Sequence, residues 1–163
     1  IQSVRHELGD KYGFGEICVM AEENKNFPSR VNVNDRRFLS PENMTKEIQN
    51  YCGETGQKVP QTIGEIATVI YASLAKCYGD TIKELEQTTG RTYSRIHVIG
   101  GGSKADYLNK LTAQASGKEV HAGPAEATAI GNIIVQCIKS GEFTSVYEAR
   151  KAVYSSFGIK VFK

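Results

Sequence analysis

The chain has 163 residues, 40% hydrophobic and 23% charged, with four prolines. That is enough length for one large domain or two small ones around a buried core, and it excludes a disordered, collagen-like or coiled-coil chain. Twenty Lys and Arg against 18 Asp and Glu leave a net charge of +2, too little for the electrostatic footprint of a nucleic-acid binder. No apolar run approaches the roughly 20 residues of a spanning helix, and the opening residues do not read as a signal peptide. Neither nucleic acid nor a membrane is expected as a partner.

Ile1, Val4 and Leu8 form a helical stripe over residues 1–9 that stops at Gly9, and residues 15–24 form a second short helix ending at Asn24. The first stripe is already running at Ile1, which is not Met, so a preceding part is expected. Residues 26–40 change pattern, with Phe27, Pro28, Val31, Val33 and Phe38 separated by polar residues, and read as an extended connector. Asn32, Asn34 and Asp35 lack the central Gly and closing Glu of a calcium loop. Pro41 after Ser40 predicts the first turn of a helix reaching about Cys52, with Met44, Ile48 and Tyr51 on one stripe and Gly53 and Gly56 ending it.

Steps of three and four from Ile63 through Ile66, Ile70, Leu74, Cys77, Ile82 and Leu85 predict one long helix stopped by Gly90. Gly64 and Gly79 weaken it by up to about 1 kcal/mol each, and a kink is expected near Gly79. Arg95–Ile99 alternates like a buried strand, Gly100, Gly101 and Gly102 turn the chain, and Ser103 begins a helix that runs to Gly117. A second strand over Lys118–Ala122 leads through Gly123 and Pro124 into a helix over about Ala125–Ile138. A last helix over Thr144–Phe157 is capped by Thr144 or Ser145.

The four cysteines, Cys18, Cys52, Cys77 and Cys137, have no C-x-x-C spacing and no nearby histidine. They read as buried thiols of a reducing, cytoplasmic compartment, with a Cys52 to Cys77 disulfide left open. His6 and His121 have no partners at ligand spacing, so no metal site is expected, and His97 belongs to a sheet face.

The strand, glycine and helix unit carries the chemistry. Consecutive glycines let a ligand approach the backbone without a Cβ in the way, and the following helix start offers free N–H groups and partial positive charge. Residues 1–90 carry 10 basic and 13 acidic groups, net −3, whereas residues 91–163 carry 10 and 5, net +5. An anionic ligand such as a nucleotide therefore favours the glycine half, although a tight turn with no ligand explains the glycines equally well. The run Gly100-Gly101-Gly102-Ser103-Lys104 is not a P-loop, because no glycine precedes Lys104 at the required spacing, and Ala105 breaks G-x-G-x-x-G. Ser103 lacks the flanks of a nucleophile elbow. Glu126 reads as a helix-start carboxylate favoured by the dipole. No general base emerges.

The runs Ile96-His97-Val98-Ile99-Gly100-Gly101-Gly102-Ser103, Leu108-Asn109-Lys110-Leu111 and Ala122-Gly123-Pro124-Ala125-Glu126-Ala127-Thr128-Ala129-Ile130-Gly131-Asn132 together resemble the C-terminal domain of the FGGY carbohydrate kinases. The stretches 34–44 and 52–57 narrow the resemblance to members acting on L-rhamnulose. The resemblance implies an α/β, actin-like ATPase or ribonuclease-H-like domain with a central sheet and flanking helices. Residues 1–163 would then be the nucleotide-binding domain of a two-domain kinase, with residues 1–25 a helical entry and the N-terminal domain missing. It further implies transfer of the γ-phosphoryl of ATP, with Mg²⁺, to the 1-hydroxyl of L-rhamnulose. The catalytic aspartate and most sugar contacts are expected before Ile1, leaving this chain inactive alone. By the same resemblance Gly100, Gly101, Gly102 and Ser103 face the nucleotide, with Gly101 foremost, and Gln2 is a further ATP contact. Ala105 stands where many members have an asparagine near adenine. Glu126 and Gly131 would serve helix start and close packing. The alternatives are a non-catalytic actin-like or sugar-sensing domain, a kinase of xylulose, fuculose or glycerol, and a Rossmann-like binder preferring NAD.

Overall fold

A computed structural model describes residues 1–163. Seven α-helices, two 3₁₀ turns and three strands follow in the order α1 (Gln2–Glu7), α2 (Phe14–Glu23), a 3₁₀ turn at Arg36–Phe38, α3 (Met44–Glu54), α4 (Ile63–Thr89), β1 (Arg95–Val98), a second 3₁₀ turn at Gly100–Lys104, α5 (Asp106–Ser116), β2 (Glu119–Ala122), α6 (Ala127–Ser140), α7 (Val146–Ser156) and β3 (Lys160–Phe162).

Helix α4 is the spine. Thr62 caps it by accepting from the Glu65 N–H, while the Glu65 carboxylate reaches back to the Thr62 N–H, and Gly90 closes it in the left-handed conformation. One of its faces buries Ile66, Val69 and Ile70 against Val4 of α1, Phe27 and Ile48 of α3. Another buries Ala67 and Tyr71 against Ile17 and Ala21 of α2 and Tyr107 of α5. Each fully buried aliphatic side chain here contributes about 1.5–3 kcal/mol relative to exposure. The Tyr71 and Tyr107 rings meet edge to face, with centroids 5.9 Å apart, the geometry that aromatic quadrupoles favour.

The helix is continuous through Gly79, where a kink was expected. Helix α5 crosses there so closely that a Cβ on residue 79 would come within 2.8 Å of the Ala115 carbonyl oxygen. Gly64 makes a similar approach, 2.7 Å from the Met20 carbonyl oxygen of α2. Both glycines admit neighbouring helices.

The sheet has the order β1-β2-β3, with β1 parallel and β3 antiparallel to β2. β2 buries Val120, His121 and Ala122, whereas β1 is an edge strand with Ile96 and Val98 half-buried and His97 exposed. The expectation of a buried first strand is thus corrected, because only one of its edges is paired. β3 was not foreseen; its three residues are too few to show a period.

Other boundaries also differ from expectation. Helix α3 starts at Met44 with Asn43 accepting from the Lys46 N–H, not at Pro41, and it runs through Gly53. Helix α5 starts at Asp106, since residues 100–104 wind as a 3₁₀ turn. Ser145 caps α7, and Thr144 pairs with Glu148. Among the thiols only Cys52 is fully buried; Cys18, Cys77 and Cys137 are half-buried, and all four are free. A Cβ on Gly131 would meet nothing within 4 Å, so its expected close-packing role does not hold.

Candidate functional site

The glycine turn stands at the C-terminal end of β1, where an α/β sheet presents loops to a ligand. Gly100 has φ +72°, a conformation that glycine adopts at no steric cost. Its N–H donates to the Pro124 carbonyl at 3.3 Å, and the Gly123 N–H donates to the Val98 carbonyl at 2.8 Å. These two bonds join the 96–103 motif to the 122–132 motif. The first amides of a 3₁₀ turn lack intrahelical acceptors, which leaves the N–H groups of Gly101 and Gly102 available. Cβ atoms built on Gly100 and Gly101 would enter open space.

Ser103 is 7% exposed, and its hydroxyl donates to the Gly100 carbonyl at 2.7 Å. Asn109, 2% exposed on α5, directs its amide nitrogen at the carbonyls of Gly102 and Ser103, each at 3.3 Å. Asn109 was visible only as part of a motif; its role depends on the 3₁₀ winding that brings those carbonyls over α5. Ala105 precedes α5 as its N-cap and supplies no side-chain cap. Lys104 is exposed on the turn, while Asp106 is engaged by Lys160 of β3 at 2.5 Å. The surface of the turn therefore offers backbone donors and one lysine, suited to a phosphate-bearing ligand.

Gln2 is exposed on α1, which packs against α3 and α4, and no hydrogen bond joins it to the turn. Glu126 is exposed at the N-cap position of α6. Beneath the turn, a cleft of about 380 Å³ opens along the edge of β1, lined by Tyr78, Ile82, Ile96, Val98, Ile99 and Leu108 among others. No three His, Cys, Asp or Glu side chains gather as a metal site.

On the opposite face of the sheet His97 and His121 are register partners, their rings 5.3 Å apart. His121 also meets Tyr154 of α7 at 6.0 Å, and its Nε2 lies 3.3 Å from Glu119 Oε2. Partial desolvation of its ring against the sheet, then the neighbouring His121, Arg95 and Arg150, hold the His97 imidazolium below the usual range although the residue as a whole is exposed. Sequence alone could not pair these histidines, because strand register is a tertiary property.

The C-terminal domain of the FGGY family of carbohydrate kinases matches residues 16–140, and the chain belongs to that family. The actin-like ATPase fold expected from the resemblance is this family's fold. The chain is 49% identical over 162 residues to the rhamnulokinase of Bacillus subtilis strain 168, covering 99% of this chain and 33% of that protein. It is 46% identical to the rhamnulokinase of Ligilactobacillus salivarius, covering 98% and 33%, and 45% identical to that of Halalkalibacterium halodurans, covering 98% and 34%. The chain thus spans about a third of the length of the curated relatives it matches.

Proposed function

We propose that this chain is the nucleotide half of an ATP-dependent ketose kinase that phosphorylates the 1-hydroxyl of L-rhamnulose in the cytoplasm. The observation that carries the reading is the glycine turn. The amides of Gly101 and Gly102 are unpaired at the end of a strand, and a Cβ on Gly101 would enter open space, in a chain whose relatives are rhamnulokinases. In this reading the turn holds the adenosine and phosphates of ATP, with Gly101 the closest approach and Gly100, Gly102, Ser103 and Ala105 shaping its surroundings. Gln2 is a further nucleotide contact, reached from α1. Mg²⁺ would accompany the phosphates and offset their charge; this chain gathers no three carboxylate, imidazole or thiol side chains to hold it.

The rest of the parent supplies the sugar pocket and the base that accepts the hydroxyl proton, and this chain alone is inactive. Two surfaces support a second domain packed nearby. The outer edge of β1 is unpaired, with Ile99 59% exposed beside it, and α6 carries Ile133 and Val135 at 59% and 66% exposure. Patches of this kind mark interaction surfaces. Four free thiols suit a reducing compartment.

The test is a coupled phosphorylation assay of the full-length protein that contains this chain. L-rhamnulose should give the highest kcat/KM among L-rhamnulose, xylulose, fuculose and glycerol. A preference for one of the other three overturns the substrate, and no turnover of any of them favours a non-catalytic sensing domain.

A further inference from the structure

We propose that Ser103 and Asn109 form a buried polar brace that aims the glycine turn, acting on nucleotide through the backbone and not by touching it; this rests on the reading of the turn as the nucleotide site. A trans peptide points its C=O and N–H in opposite directions. Ser103 Oγ draws the Gly100 carbonyl into the protein at 2.7 Å, so the N–H of Gly101, on the same peptide plane, is turned outward. Asn109 Nδ2 donates to the carbonyls of Gly102 and Ser103, each at 3.3 Å. Both neighbours of that nitrogen are acceptors, which fixes the amide orientation.

The environment argues that this is a specific device. Asn109 lies in the first turns of α5 at 2% exposure. An apolar residue would pack there at lower cost, because a buried amide is tolerated only when bonded and asparagine is a poor interior helix former. The two side chains hold three of the turn's four carbonyls between Gly100 and Ser103, adding to the backbone bond that the Gly102 carbonyl already accepts from the Ala105 N–H at 3.1 Å, in a turn whose glycines would otherwise sample many conformations. A brace of this kind lowers the ordering cost that nucleotide would meet on binding.

The test compares Ser103→Ala, Asn109→Ala, Gly101→Val and Thr112→Val in the full-length protein, with ADP as the titrated ligand. Thr112 is a buried neighbour whose hydroxyl bonds only the Leu108 carbonyl of its own helix. Ser103→Ala and Asn109→Ala should each weaken ADP and raise the KM for ATP about tenfold, the scale of a lost buried hydrogen bond, while the sugar KM is unchanged. In the unliganded protein both should speed hydrogen exchange at the Gly101–Lys104 amides. Thr112→Val should alter neither. Loss of affinity with unchanged exchange would make Ser103 or Asn109 a direct contact and overturn the brace. Unchanged affinity in both variants, with ADP binding abolished by Gly101→Val, overturns the brace alone. ADP binding that survives Gly101→Val overturns the site reading and the brace with it.

Discussion

Gly79 of α4 lies against the Ala115 carbonyl of α5, at a distance of 2.8 Å from where a Cβ on residue 79 would stand. The contact has backbone on one side and leaves no flexible atom to move. Gly79→Ala should therefore destabilise the protein by about 1–3 kcal/mol through overpacking, outweighing the roughly 1 kcal/mol that alanine gains in helix propensity. Urea denaturation of the variant measures this, and a rise in midpoint would contradict the packing account.

The start of α4 makes stability depend on acid. Glu65 is held below the usual carboxylate range first by the Gln61 N–H, then by the Thr62 N–H, Lys58 and the Thr62 side chain. A carboxyl group depressed in the folded state stabilises fully above its unfolded pKa of about 4.3 and loses that contribution as pH falls through the folded value. Thr62→Ala should cost about 1 kcal/mol at neutral pH. Glu65→Ala should be destabilising at pH 7 and progressively less so below about pH 4, as followed by thermal melts across that range.

His97 acts at a higher pH and with the other sign of charge. Its protonation is opposed by partial desolvation and by His121, Arg95 and Arg150. The unfolded chain therefore takes up this proton before the folded one, and stability falls as pH drops below about 6.5. Glu119 beside His121 and Tyr154 above it complete the surroundings. His97→Asn should flatten the stability profile between about pH 5 and 6.5, and an unchanged slope would place the effect elsewhere.

Ala105 leaves the start of α5 without a side-chain cap. Ala105→Asn should raise stability by about 0.5–1 kcal/mol through capping, and under the proposed function it should also tighten ADP by adding a side chain near the base. Calorimetry and ADP titration separate the two effects; greater stability with unchanged affinity would confine Ala105 to the helix.

Much of this was legible because it depends on local period and punctuation. The three- and four-residue steps after Ile63 and the stop at Gly90 defined α4 to within a residue or two, and the glycines after Val98 marked the turn. What escaped depends on contacts distant in sequence. Gly64 and Gly79 look like helix weakeners until α2 and α5 are seen crossing them. Asn43 took the capping role that Ser40 before Pro41 suggested, because the residue that bonds the N3 amide defines the helix start and the proline does not. In the candidate site, the position of the turn could be read from the sequence. The brace from Ser103 and Asn109 and the pairing of His97 with His121 required winding and register.

A glycine turn that receives nucleotide is probed most directly at Gly101. Its φ is not in the left-handed region, and a side chain there would enter open space, so Gly101→Val should leave the fold intact while obstructing the ligand. Isothermal titration of ADP into the full-length protein and this variant is the measurement. Loss of detectable ADP binding is expected, with a melting temperature within a few degrees of the parent; unchanged ADP affinity in the folded variant would mean that the glycine turn does not receive nucleotide.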